Sequence, residues 1–249
     1  MLEIKNVFVN YGKEEVLKGV SVSVSRGETV SIIGENGCGK STLLKAALGI
    51  IPCQKEVLAD GILLDNKKEK TAKHISYLAQ GVLTPDMTVA ELVLHGRFPH
   101  LSYPRRYTAL DRELTKKAMA DAGVLEYADR PLASLSGGMR QNAYIAMSLS
   151  QSTDYMLLDE PTTYLDVKHQ LSLMRLIRRL ADSGKGIVTV MHDLALAFNF
   201  SDRIIVIENG RVAADGTPEE ISRADCIQRI FGVKIVNDGT EYRMRMGSR

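Results

Sequence analysis

A lysine and a hydroxyl close the stretch Gly-Glu-Asn-Gly-Cys-Gly-Lys-Ser at positions 34–41. The spacing fits G-x-x-x-x-G-K-[ST], the phosphate-binding loop pattern, in which successive backbone N–H groups cradle phosphate oxygens. Gly34, Gly37 and Gly39 let those amides turn inward, since no Cβ blocks the approach. Lys40 would reach β- and γ-phosphates and the Ser41 hydroxyl would ligate Mg²⁺. A helix beginning near Lys40 would add its positive N-terminal dipole. Such a loop needs a strand to aim it and a helix to follow it. Residues 29–33, Thr-Val-Ser-Ile-Ile, supply a short β-branched run, and 42–48 carry a helical pattern.

A second anion grip lies far downstream. Ser136, Gly137 and Gly138 open a pattern that reads as a helix through Ser150, and a helix N-terminus holds anions on the same physics. Two grips in one chain leave room for the second to serve another copy. The apolar run from Tyr155 delivers Asp159 and Glu160 at the C-terminal end of a strand, where α/β sheets place their ligands. Asp159 would hold Mg²⁺ directly or through water, and Glu160 would polarise an attacking water. Gln80 ends a run at 74–80 that reads as a strand; its amide either reaches the same crevice or is an ordinary surface group. His192 follows the buried-strand pattern at 186–191 and can converge there too, although a lone histidine is more often structural. Tyr11, on the turn at 11–14, can stack on a base or be a partly exposed turn aromatic.

The elements that position these groups are legible in outline. Residues 2–9 and 16–25 alternate as strands, and 56–65 read as a hairpin around Gly61 with 67–70 as its solvated edge. From about 81 to 151 the pattern turns helical. Thr88 and Glu91 form a capping box, 109–122 are an amphipathic helix, and the basic, aromatic segment 96–106 between them reads as a contact surface, with an ordered loop as the alternative. A helix runs from Asp166 to about Leu180, and 203–216 form a hairpin turning at Asn209-Gly210. Thr217-Pro opens a short helix, and the tail from 232 holds at most one strand. The composition, 45% hydrophobic and 25% charged over 249 residues, is that of an ordinary globular chain. A formal charge of +2 gives no global case for nucleic acid. Cys38, Cys53 and Cys226 lack metal-ligand spacing, which fits a reduced, cytosolic compartment. Neither a secretory leader nor a bilayer-spanning run is expected, so any membrane role must come through partners.

Over essentially its whole length the sequence resembles the ATP-binding subunit of ABC transporters. Residues 34–41 look like the Walker A motif, Gln80 the Q-loop, Leu135-Ser-Gly-Gly138 the signature, 156–160 Walker B with its glutamate, Tyr164-Leu-Asp166 the D-loop, and His192 the switch histidine. The resemblance implies an α/β fold of the P-loop NTPase type: a RecA-like core sheet, an N-terminal antiparallel β subdomain and an inserted α-helical subdomain. In one ABC-type domain over 1–249, residues 1–80 and 152–249 would form the catalytic core and 81–151 the helical insert. ATP and Mg²⁺ are the implied cofactors. Tyr11, Gly34, Asn36, Gly37, Cys38, Gly39, Lys40, Ser41 and Thr42 would hold nucleotide on one side, with Ser136, Gly137 and Gly138 from a second, head-to-tail copy. Glu160, His192, Gln80 and Lys40 would carry hydrolysis, and Ser41, Gln80 and Asp159 the metal.

The implied partners are a second copy and integral membrane permease subunits, with an extracytoplasmic binding protein engaged indirectly, no nucleic acid, and a seat on the cytoplasmic face of the membrane. Gly96-Arg-Phe-Pro-His100 and the stretch 159–170 resemble the branch importing iron-siderophores, haem and cobalamin, ferric siderophores foremost. Exporter ATPases and soluble ABC ATPases acting on nucleic acid share the same ATP site and stay open as alternatives. Met139 stands where the signature usually has glutamine, and Asn142 where arginine is common; neither removes the serine and glycine amides, so activity is expected to survive.

Overall fold

Strict alternation decides the first layer. The computed structural model describes residues 1–64, 68–81 and 83–246. In β1 (Leu2–Tyr11), Leu2, Ile4, Val7 and Val9 are buried on one face, and β2 (Glu14–Val24) returns antiparallel beside it. The fully buried β3 (Thr29–Ile33) leads to α1 (Lys40–Ala47). Then β4 (Gln54–Ala59) and β5 (Ile62–Leu63) complete an antiparallel sheet of order β2-β1-β4-β5.

The next stretch departs from the sequence reading. Lys68–His74 is a helix, α2, and the strand that follows, β6, is only Ile75–Leu78. Glu69 in the first turn and Lys73 and His74 in the last suit the helix dipole, while Lys70 in the first turn opposes it, so the run read as a solvated edge is helical without its own charges deciding the matter. Asp65 and Lys67 lie outside the described residues.

Three helices follow: α3 (Val89–His95), α4 (Ala109–Asp121) and α5 (Gly137–Ser150). Capping boxes start two of them, Thr88 with Glu91 and Thr108 with Asp111. Strand β7 (Tyr155–Asp159), α6 (Val167–Asp182), β8 (Gly186–Val190), α7 (Leu194–Phe200), β9 (Arg203–Glu208) and β10 (Arg211–Gly216) finish a second sheet of order β10-β9-β3-β8-β7-β6. Its strands from β9 to β6 are parallel, and β10 pairs antiparallel at the edge. Every residue of β3, β7 and β8 is buried, the mark of a parallel sheet covered on both faces.

The tail is richer than one strand. After α8 (Pro218–Ser222), α9 (Asp225–Phe231) stops at Gly232, and β11 (Val233–Asn237) pairs with β12 (Tyr242–Met246) as a hairpin. Tyr242 packs on Phe198 of α7 with ring centroids 5.6 Å apart, and Asn199 binds both the N–H and the C=O of Tyr242. The contact-loop expectation is also corrected in part. Arg97 is buried against Asp111 at 3.0 Å and donates to Ser150 O, while His100 bonds Gln151 O. Both turn inward because the C-terminal end of α5 presents carbonyls with no helical partner. Phe98 and Tyr103 remain exposed.

Candidate functional site

Parallel neighbours β8 and β9 hold β3 on both sides, so its C-terminal end launches the glycine loop from a fixed point. Two glycines are sterically required. Gly34 has φ +156°, and a methyl there would sit 2.2 Å from Ile207 O. Gly39 has φ +106°, and a methyl there would meet Leu17 Cδ2 at 2.5 Å. The loop is thus wedged between β9 and β2 at van der Waals closeness. Lys40 is buried, and its Nζ donates to Gly34 O and Glu35 O at 2.8 Å each. Those two carbonyls hold the ammonium over the loop.

Asp159 ends β7 and is 1% exposed. Its Oδ1 accepts from Ser41 Oγ at 2.7 Å and its Oδ2 from the Tyr77 hydroxyl at 3.1 Å. Burial and the adjacent carboxylate push the Tyr77 phenol well above its ordinary range, so it stays a neutral donor. Glu160 adopts a left-handed conformation, φ 51°, which turns the chain sharply at the strand end. Its carboxylate takes donors from three elements: Gln80 Nε2 at 2.5 Å, Thr163 Oγ1 at 3.1 Å, and His192 Nε2 on the other oxygen. A carboxylate only accepts, so the His192 proton lies on Nε2.

Lys40, Ser41, Gln80, Glu160 and His192 open onto one cleft of about 360 Å³, lined as well by Asn36, Gly37, Gly39 and Thr42, with Asp159 buried behind Ser41. They sit on the C-terminal ends of β3, β6, β7 and β8, where a parallel sheet binds ligands. The sequence pattern of the ABC transporter family matches residues 17–163, more than half of the chain.

The chain belongs to the ABC transporter family.

Curated relatives agree along nearly the full length. The chain is 41% identical over 236 residues to the ferric enterobactin transport ATP-binding protein FepC of Escherichia coli K12, covering 92% of this chain and 87% of that one. It is 39% identical over 243 residues to the iron(3+)-hydroxamate import ATP-binding protein FhuC of Bacillus subtilis 168, covering 95% and 90%. Among solved structures, the ADP conformation of the ABC transporter cassette MJ1267 matches with a TM-score of 0.83 at 25% identity, over 92% of this chain and 96% of that one. As an ABC ATP-binding subunit, the chain is an ATPase of α/β, P-loop type. Among the described residues no helix is long and apolar enough to cross a membrane.

Not every anticipated nucleotide contact lies in the cleft of this ABC subunit. Tyr11 is 52% exposed at the end of β1 and does not line it. Cys38 faces a neighbouring cleft with Glu35 and Asn209, and burial pushes its thiol up. Gly34, the first residue of the loop, packs against Ile207 O and Cys38 Sγ and does not line the cleft. The signature residues do not line the cleft: Ser136 caps α5, accepting from Met139 N–H at 3.3 Å, and Gly137 lines an adjoining cleft of about 290 Å³ that shares Glu160 with the first and is also lined by Thr163 and Tyr164. Asn142 is on α5, beyond the capped turn.

Tyr77 and Thr163 were not singled out from sequence, yet they hold the two carboxylates. Tyr77 had one available signal, a polar-tipped aromatic in the strand that ends at the site. The hydroxyl of Ser41, the carboxylate of Asp159 and the amide oxygen of Gln80 are hard oxygen donors, the set that suits Mg²⁺. Open space around Gly37 leaves room for phosphates above the loop.

Proposed function

We propose that this ABC subunit hydrolyses ATP to power import of a metal chelate, a ferric siderophore foremost and haem as the next candidate. The observation that carries the catalytic reading is Glu160, held by Gln80, Thr163 and His192 over the cleft that Lys40 and Ser41 share. Lys40 exchanges its carbonyl partners for the β- and γ-phosphates, and the amides of 36–42 hold the remaining phosphate oxygens. Ser41, Asp159 and Gln80 would hold Mg²⁺, which supplies charge neutralisation on the phosphates when bound. Glu160 orients the attacking water and accepts its proton, while His192 and Gln80 fix the carboxylate in place.

Ser136, Gly137 and Gly138 complete the site on a second, head-to-tail copy. The cassette MJ0796, 29% identical with a TM-score of 0.74 over 88% of this chain and 99% of that one, has been solved as a dimer, which supports this arrangement. Residues 81–151 act as a helical subdomain carrying the signature toward the partner, against a core of 1–80 and 152–249. Membrane permease subunits on the cytoplasmic face of the membrane receive the closing motion, with an extracytoplasmic binding protein engaged through them. The chelate assignment rests on the relatives' names, ferric enterobactin and iron(3+)-hydroxamate among them, and on hemin for a relative from Rhodococcus jostii RHA1 that is 37% identical over 93% of this chain and 80% of that one.

Glu160→Gln tests the mechanism. It keeps the shape and removes the base, so ATP should still bind and drive dimerisation while turnover falls by about 100-fold or more. Wild-type turnover in this variant would overturn the role of Glu160. Uptake of radiolabelled ferric siderophore by cells carrying the cognate permease, lost with Glu160→Gln, tests the direction and cargo.

A further inference from the structure

The chain from Glu160 to Asp166 is a tightly bonded loop. Thr163 N–H donates to Glu160 O, Leu165 N–H to Thr162 O, and Gln170 Nε2 reaches back to Thr162 O. Tyr164 has φ 65° and is 92% exposed, so the loop holds a fixed shape that presents this ring outward. Its middle stands off from α5: Thr163, Tyr164 and Leu165 face Gly137 and Gln141 across the cleft of about 290 Å³.

At the far end of the loop the two pieces meet, and the residue between them is His169. Asp166 caps α6, accepting from His169 N–H at 2.9 Å, and its Oδ2 lies 2.8 Å from His169 Nδ1. The carboxylate places the ring proton on Nδ1. The opposite edge of the ring lies against Gly138: a methyl at Gly138 would come within 2.2 Å of His169 Cδ2 and 2.6 Å of Cγ. The imidazole therefore occupies the space that any other residue at 138 would fill. One edge is bonded to the loop that starts at Glu160, and the other is packed on the first turn of the helix bearing Ser136.

We infer that His169 is a positioning residue that locks the Glu160–Asp166 loop to the helix N-terminus carrying Ser136 and Gly138, so that both approach a second copy as one rigid piece. The inference rests on the head-to-tail reading above and adds a route within one chain. Phosphate gripped by Ser136 and Gly138 at the partner's site is felt, through His169 and Asp166, by Glu160 at this chain's own site. Gly138 is glycine for two reasons on this account, the phosphate approach and the ring.

Three variants separate bond from packing. Asparagine at 169 keeps an N–H donor for Asp166 in a smaller side chain, phenylalanine keeps the ring without the donor, and alanine keeps neither. His169 does not line the ATP cleft, so ATP affinity of the isolated chain, read with a fluorescent ATP analogue, should stay within about twofold for all three. Steady-state kcat and the Hill coefficient for ATP should fall in His169→Ala, with kcat down by about 10-fold, since misplacing a catalytic group by about 1 Å can cost up to about 100-fold. His169→Asn, which keeps the bond, and His169→Phe, which keeps the packing, should each recover only part of that loss. In a Glu160→Gln background, His169→Ala should also weaken ATP-driven dimerisation, measured by analytical ultracentrifugation.

Wild-type kcat and cooperativity in His169→Ala would overturn the inference. So would full rescue by phenylalanine, which would make the ring a filler, full rescue by asparagine, which would make the packing on Gly138 idle, or a loss of ATP affinity in the isolated chain equal to the loss in kcat. Failure of Glu160→Gln alone to dimerise with ATP would instead overturn the head-to-tail reading, and the inference with it.

Discussion

Asp159 uses both carboxylate oxygens within the protein, one on Ser41 and one on Tyr77, while 1% of the residue is exposed. The two hydroxyls replace the water that burial takes from those oxygens, and a buried polar atom left without a partner is costly. Tyr77→Phe removes a single hydroxyl and keeps the ring. It should cost about 1 kcal/mol of stability, the usual net worth of one hydrogen bond. Its sharper effect should be on Mg²⁺ dependence: the concentration giving half-maximal ATPase should rise several-fold with little change in ATP affinity measured without Mg²⁺. An unaltered Mg²⁺ titration would mean that Tyr77 serves packing alone.

Arg97 ties three helices together at the element scale. Its Nε bonds Asp111 in the first turn of α4, and its Nη1 bonds Ser150 O at the end of α5 and Ser152 Oγ, while the residue itself follows α3. Burial pushes the Asp111 carboxyl up, but the Thr108 N–H and hydroxyl and the Arg97 guanidinium outweigh it and hold it below its ordinary value. Breaking one side of a buried pair strands the other charge, at about 3–5 kcal/mol. Arg97→Ala should therefore lower the urea midpoint by that equivalent at unchanged m-value. Because the residue belongs to the helical segment and not to the ATP cleft, the surviving folded protein should bind ATP normally.

At the scale of the whole molecule, Asp60 joins the antiparallel sheet to the parallel one. Its carboxylate accepts from Arg26 at 2.7 Å, from the Met1 ammonium, and from the hydroxyl of Tyr155 at the start of β7. Arg26 first, then the ammonium and the phenol, hold the acid far below its ordinary value. A depressed carboxyl contributes fully above its unfolded pKa of about 4 and loses that contribution as pH falls toward the folded value. Asp60→Asn should lower Tm at pH 7 by about 2–8 °C, for about 1–2 kcal/mol in a chain of this size. The gap between variant and wild type should narrow as pH falls below about 4. A gap independent of pH would mean that charge at Asp60 is irrelevant.

What the sequence determined by itself was whatever depends on bonded spacing. The eight residues 34–41, the carboxylates ending the apolar run at Asp159, the Thr88-Glu91 capping box and the Asn209-Gly210 turn are local patterns, written in consecutive positions and read without knowing what lies across the core. The tertiary structure decided which of those patterns meet. Gln80 and Glu160 are 80 positions apart and His192 is 32 further on, and only the parallel order of β6, β7 and β8 brings them onto one carboxylate. The same is true of Arg97, which lay in a segment read for partner contact and which the ends of three helices enclose instead. It is true as well of α2 and the β11–β12 hairpin, which take their stability from neighbours more than from their own residues. Local propensity is worth tenths of a kcal/mol per residue, and packing against a distant element decides the outcome when the pattern is short.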